Sequence, residues 1–218
     1  MKKITLSVMA LAVLGGLVAC SPLSGKKADA EYDKLTQQAV KSFHSKGIAK
    51  VERLIQDDSN RLCSQADVAG KPLDAATAKA IEAANLEAIQ WPSDGQLLGS
   101  WKTGEKIAQS GRGMTWSDKT TSNNGGNCYN CHQISKEEVS YGTLGPSLYN
   151  YGKLRGVTDP NSAAAKAVVE YTYGKIWNAR AYNACSNMPR AGHNGVLTQD
   201  QVKDLVALLL DPKSPVNQ

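Results

Sequence analysis

Residues 127–132 read Asn-Cys-Tyr-Asn-Cys-His, a C-x-x-C-H stretch that constrains the chain more than any other. Two thiols at this spacing can each form a thioether to a haem vinyl group, and the imidazole beside the second can reach the iron. The pattern is the attachment signal for a c-type haem. Two other chemistries compete for these residues. A zinc site needs two more ligands at short spacing, yet the next cysteine is Cys185 and the only other histidine in the C-terminal half is His193. A thioredoxin-like dithiol wants a strand ahead of it in a βαβ setting, whereas Thr120–Asn127 is a polar loop. Cys128, Cys131 and His132 are therefore assigned to one covalently attached haem c. The chain is expected to be an electron-transfer protein, or the electron-accepting part of a redox enzyme.

The N-terminus carries an address. Lys2 and Lys3 precede an apolar run from Ile4 to Val18, closed by Leu-Val-Ala-Cys20. Residues 1–19 read as a secretory signal. The ending matches a lipoprotein cleavage site, with acylation of the Cys20 thiol; plain secretory cleavage is the alternative. Acyl chains would hold the protein on a membrane surface without crossing it. The expected location is the periplasm, lipid-anchored, and Ser21 after the cysteine leaves the outer membrane open. The formal charge of +5 drops to about +3 once the two signal lysines are gone, too weak to argue for nucleic acid. Cys63 and Cys185 remain after haem and lipid take the other thiols. An oxidising compartment favours their pairing; two separate buried thiols are the alternative.

Periodicity predicts an all-α chain. Residues 20–30 read as a tether, 31–94 as a helical extension and 95–218 as the haem domain. A helix is expected over 31–56, with a bend at Gly47 and with His44 as a surface or packed residue rather than an iron ligand. A turn over 57–60, a loop through Cys63, and a second helix over 75–90 stopped by Pro92 follow. The haem domain opens with residues 95–110, which carry Leu97, Leu98, Trp101, Ile107 and Ala108, then a polar loop to Gly126. A helix begins at Asp159-Pro160, and Gly174 divides it from a short one over 175–181. Thr198 and Gln201 form a capping box for the last helix, whose apolar face is Val202, Leu205, Val206, Leu208 and Leu209. Tyr149, Tyr151 and Arg155 can donate to haem propionates, since buried carboxylates need partners; ordinary packing is the alternative. For the sixth iron position, which takes Met or His in such carriers, the candidates are Met188, His193 and Met114.

Several runs resemble class I cytochromes c. Gly104-Glu-Lys-Ile107 is similar to their first helix, where a glycine permits close crossing of the last helix. Gly142-Thr-Leu-Gly-Pro146-Ser-Leu148 is similar to the segment beneath the proximal histidine, which implies that the Pro146 carbonyl accepts the His132 Nδ1 proton. Met188-Pro189 matches the distal loop and implies Met188 as sixth ligand. Three runs together resemble the SoxX family, monohaem subunits of the SoxAX complex of sulfur oxidation. These are Gly126–His132, Gly142–Leu148, and Met188–Thr198 with the tail Leu208-Leu-Leu-Asp-Pro-Lys-Ser-Pro-Val-Asn217. Ala191 and the long N-terminal extension depart from that pattern. The resemblance implies a SoxA-like catalytic partner, transient contact with a SoxYZ-like carrier, and a downstream cytochrome as acceptor. This chain would then be the electron-transfer subunit of an L-cysteine S-thiosulfotransferase, not its catalytic subunit. A general membrane-tethered electron carrier and a non-redox lipoprotein are the other classes open to it.

Overall fold

A computed structural model describes residues 23–218. The expected signal segment and the expected acylation site at Cys20 lie outside the described residues. Helix α1 spans Leu23–Ser42, α2 Asp58–Val68, α3 Ala75–Glu87, α4 Trp101–Gln109, α5 Tyr151–Leu154, α6 Lys166–Trp177 and α7 Gln199–Leu210. Short 3₁₀ turns link several of them. Among the described residues there is no strand, only an isolated bridge between Lys46 and Ala49. The fold is all-α, as the periodicity requires.

The extension differs from the expected boundaries in three places. The tether expected over 20–30 is helical from Leu23, because Ala, Lys and Glu favour the helix over the single Gly25. The helix expected to reach residue 56 ends at Ser42. Gly47 then takes φ +55°, and Lys46 and Ala49 exchange backbone hydrogen bonds of 2.9 and 3.0 Å. A Cβ at Gly47 would stand 2.2 Å from the Trp116 carbonyl oxygen, so only glycine fits this turn against the haem domain. The expected turn at 57–60 and loop through Cys63 are instead the start and body of α2. Asp57 caps that helix, its carboxylate accepting from the Asn60 amide at 2.8 Å, and a capping Asx reads in sequence much like a turn.

The haem domain is built on the crossing of α4 and α7. At Gly104 a Cβ would lie 2.1 Å from the Asp204 carbonyl oxygen and 3.0 Å from Leu208 Cβ. Asp204 also caps α4 from across the interface, accepting from the Ser100 amide at 2.7 Å. The Thr198–Gln201 capping box fixes the start of α7. Its buried face, with Ile107, Ala108, Ile134 and Tyr173, forms the core. Two expectations about α6 change. Ser162, not Asp159, caps the 3₁₀ turn that leads into it. Gly174 does not divide the segment; α6 runs through it because the absent side chain admits the Tyr182 ring, whose hydroxyl oxygen would sit 2.1 Å from a Cβ.

The C-terminal tail closes the far end of α7. Asn217 is buried; its Oδ1 accepts from the Gly152 and Lys153 amides, and its Nδ2 donates to the Leu209 and Asp211 carbonyls. Asn217→Ala orphans several of these at once. At about 1–3 kcal/mol per buried orphan, the protein is expected to lose about 2–4 kcal/mol of stability. A lower urea midpoint at unchanged slope would register it.

The extension packs onto the same body. Asn178 Nδ2 donates to Asn85 Oδ1 at 3.0 Å, and the Tyr173 hydroxyl donates to the Gln90 carbonyl at 3.0 Å. Trp91 stacks on Tyr173, which stacks on Trp177. Arg53 Nη1 donates to the Met114 carbonyl, and Lys46 Nζ lies 3.5 Å over the Trp116 ring.

Candidate haem site

The attachment segment is held between two glycine-rich strips of backbone. The loop after α4 returns alongside that helix, with the Gly126 amide donating to the Ile107 carbonyl and the Asn127 amide to that of Ser110. Asn127, at φ +51°, turns the chain into a 3₁₀ turn over Cys128–Asn130. On its other side the segment is zipped to residues 142–148: the Gly142, Gly145 and Leu148 amides donate to the Tyr129, Cys131 and Gln133 carbonyls. Every second carbonyl of the attachment segment is thereby fixed.

That zipper seats His132. Its Nδ1 lies 2.7 Å from the Pro146 carbonyl oxygen. With the proton on Nδ1 it donates to that carbonyl, and Nε2 keeps its lone pair for a metal. Gly145 forms the floor of the seat; a Cβ there would stand 2.1 Å from Cε1 and 2.4 Å from Nδ1 of the ring. Sequence reasoning quoted Gly145 without giving it this role, although its place before Pro146 was the available signal.

The two thiols are unpaired with each other. Burial pushes the Cys128 thiol up to about 11, so it stays protonated at neutral pH. A redox-active dithiol carries a lowered pKa instead. Among the described residues no group of three or more His, Cys, Asp or Glu side chains could hold a metal ion, which leaves the zinc alternative without a ligand set.

Met188 and Cys128 are both partly buried and pack against the same core cluster. The Met114 sulfur accepts from Asn124 Nδ2 at 3.3 Å, and the Met114 carbonyl is bound to the extension. His193 is exposed, its amide donating to the Trp177 carbonyl. Burial and the nearby Arg190 charge hold its ring below the usual histidine value, against the pull of Asp57. His44 is exposed on the extension.

The propionate candidates divide. The Tyr149 hydroxyl donates to the Gln218 carbonyl, and Tyr151 is buried with its hydroxyl paired to Thr172. The Arg155 guanidinium lies 3.6 Å over the Tyr151 ring, with Nη1 donating to the Tyr151 carbonyl. A residue passed over in the sequence has the clearer need: Trp177 is 5% exposed, and its indole N–H is buried without an acceptor. A buried donor without a protein partner is open to an acceptor from a bound group or an ordered water, and a haem carboxylate is of the right chemistry. Gly192 lies against this ring, where a Cβ would be 2.3 Å from it. The preset His132 beside two thiols not joined to each other, and the orphaned indole N–H, together fit a haem.

Cys63 and Cys185 are joined by a disulfide with Cα atoms 5.4 Å apart. Close by, Asp57 receives the Arg190 guanidinium, and Arg180 Nη1 lies 3.7 Å away. Burial alone would raise the Asp57 carboxyl, but the Asn60 amide and the two guanidiniums outweigh it and hold it below the usual value. A lowered carboxylate contributes stability that is complete above its unfolded pKa and lost as pH falls through the folded one. The stability gap between wild type and Asp57→Asn is therefore expected to be constant near neutrality and to close below about pH 4, as urea midpoints across pH would show.

An all-helical fold with a seated C-x-x-C-H histidine defines a cytochrome c domain, and residues 121–212 match the Cytochrome c family. Such a domain carries covalently bound haem c and transfers electrons. Over 217 residues the chain is 32% identical to an uncharacterized lipoprotein of Aquifex aeolicus (strain VF5), covering 97% of this chain and 98% of that one. The chain belongs to the same family as that protein. Among the described residues, no helix is long and apolar enough to cross a membrane.

Proposed function

We propose that this chain is the monohaem electron-transfer subunit of a SoxAX-like enzyme, held on a periplasmic membrane surface by acylation of Cys20. The observation that carries the haem chemistry is the His132 ring fixed by Pro146 with Nε2 free. The SoxAX assignment rests on the combined runs Gly142–Leu148 and Met188–Thr198 with the tail to Asn217. Full-length similarity to a lipoprotein supports the anchor.

In this reading Cys128 and Cys131 would carry one haem, His132 Nε2 and the Met188 thioether would hold its iron, and Trp177 and Arg155 would serve its carboxylates. The bound haem supplies one-electron chemistry, with a potential set by axial ligands, hydrogen bonds and burial. With both of those side chains holding the iron, no place for substrate would remain, and this chain would relay electrons. The reaction on the SoxA-like partner joins the outer sulfur of thiosulfate to a carrier cysteine thiol, forming a sulfur–sulfur bond and releasing one proton and two electrons. A downstream cytochrome drains them.

Met188→Ala is the test of ligation. It is expected to keep the covalent haem, lose the long-wavelength thioether-to-ferric-iron absorption band and lower the reduction potential. An unchanged band would remove Met188 from the iron. Purification from the native host tests the partner: a co-purifying SoxA-like subunit supports the assignment, and its absence with intact redox activity favours a general tethered carrier.

A further inference from the structure

We propose that the N-terminal extension is a clasp on the distal loop, with Asp57 as a positioning residue for Met188 and the Cys63–Cys185 disulfide as its covalent half. The proposal rests on Met188 as sixth ligand. Met188 sits in a stretch without helix or strand between the 3₁₀ turn ending at Ala181 and α7. Its own amide reaches only Ser186 Oγ, at 3.3 Å. The loop's own backbone bonds lie to either side, from the Ser186 amide to the Asn183 carbonyl and from the Asn194 amide to the Arg190 carbonyl onward, so the stretch at Met188 itself is lightly tied.

The extension adds ties on both flanks of Met188. Three residues ahead, Cys185 is bonded to Cys63 on α2, and the Ala184 amide donates to Glu82 Oε1 on α3 at 3.2 Å. Two residues after, the Arg190 guanidinium, 8% exposed, donates to Asp57. Asp57 is itself immobilised as the cap of α2, so one carboxylate ties the helix start to the distal loop. Arg180, 11% exposed, completes the cluster. Between α2 and the loop lies an open polar groove, lined in part by Asn60, Arg180, Met188 and Asn194, so the loop is not packed solidly against α2 there. A buried guanidinium left without its carboxylate adds a cost to staying closed.

The test uses the haem-loaded full chain. Asp57→Asn keeps a good helix cap and removes the charge; Cys63→Ser with Cys185→Ser removes the covalent tie. Carbon monoxide binds ferrous haem only after Met188 leaves, so its binding rate reads the open fraction. Each change is expected to raise that rate about tenfold, and the combination further than either alone, with the thioether absorption band weakening only once the open fraction becomes a large share of the population. Wild-type rates and an intact band in the combined variant would overturn the proposal. Met188→Ala, measured alongside, separates the two ideas. If it keeps the band, the ligand assignment fails first; if it loses the band while the clasp variants keep wild-type binding rates, only the clasp fails. Should the cysteine variant not fold, the wild-type holoprotein is treated with a water-soluble phosphine. The phosphine is oxidised to its oxide with oxygen from water while the disulfide becomes two thiols. An unchanged rate there overturns the covalent half.

Discussion

Gly145→Ala is expected to reduce the yield of correctly ligated holoprotein by about 10–100-fold, the range typical for losing an orienting group behind a metal-binding histidine. The added methyl would occupy the position of the imidazole itself, 2.1 Å from Cε1 and 2.7 Å from Nε2. Gly145 cannot retreat, because its amide is bonded to the Cys131 carbonyl at 2.8 Å. The ring must therefore swing off the Pro146 carbonyl, losing both its tautomer and its aim. Thioether bonds to Cys128 and Cys131 can still form, so the signature is covalent haem with an abnormal axial spectrum. A wild-type spectrum and yield would show that the ring is not seated on this glycine.

Gly104→Val is expected to cost about 3 kcal/mol or more, at the upper end of overpacking penalties. The nearest atoms to the new side chain are backbone: Asp204 O at 2.1 Å and Asp204 C at 2.7 Å. No rotamer change relieves that, and the α4–α7 crossing has to open. Opening it breaks the Ser100–Asp204 and Gly99–Lys203 hydrogen bonds and unpacks Val202, Leu205 and Leu208. Urea unfolding with the haem absorption as probe would report it; a midpoint within error of wild type would mean that the crossing is looser than the backbone distances indicate.

Much of the haem domain was legible because its signals are local. The capping box at Thr198, the α7 apolar stripe and the C-x-x-C-H each sit within one short run. The Pro146 carbonyl and the crossing at Gly104 were reached through resemblance to class I cytochromes c, and the geometry supplies their reasons. The extension was less legible because its meaning is non-local. Asp57 reads as one residue of an Asp-Asp-Ser-Asn turn, yet its partners Arg180 and Arg190 lie more than 100 positions away. Asn85 looks like a helix-surface residue until Asn178 covers it. Trp177 reads as core, and only its orphaned N–H marks it as something more. Gly174 looked like a breaker because the sequence does not display the Tyr182 ring that needs the space.

The bridge between residues 63 and 185 encloses the attachment segment in a ring of the chain, its two thiols 122 positions apart. Two other thiols, at 128 and 131, are nearly adjacent. Closing a short loop is cheaper than closing a long one, so in any oxidising compartment the newly made chain meets a kinetic hazard: the local pair forms first and leaves no thiol for the porphyrin. The distant pair gains its advantage only when folding brings its partners together. Maturation of this protein is thus a matter of timing, in which porphyrin loading, or a reductant guarding those neighbouring sulfurs, must outrun oxidation.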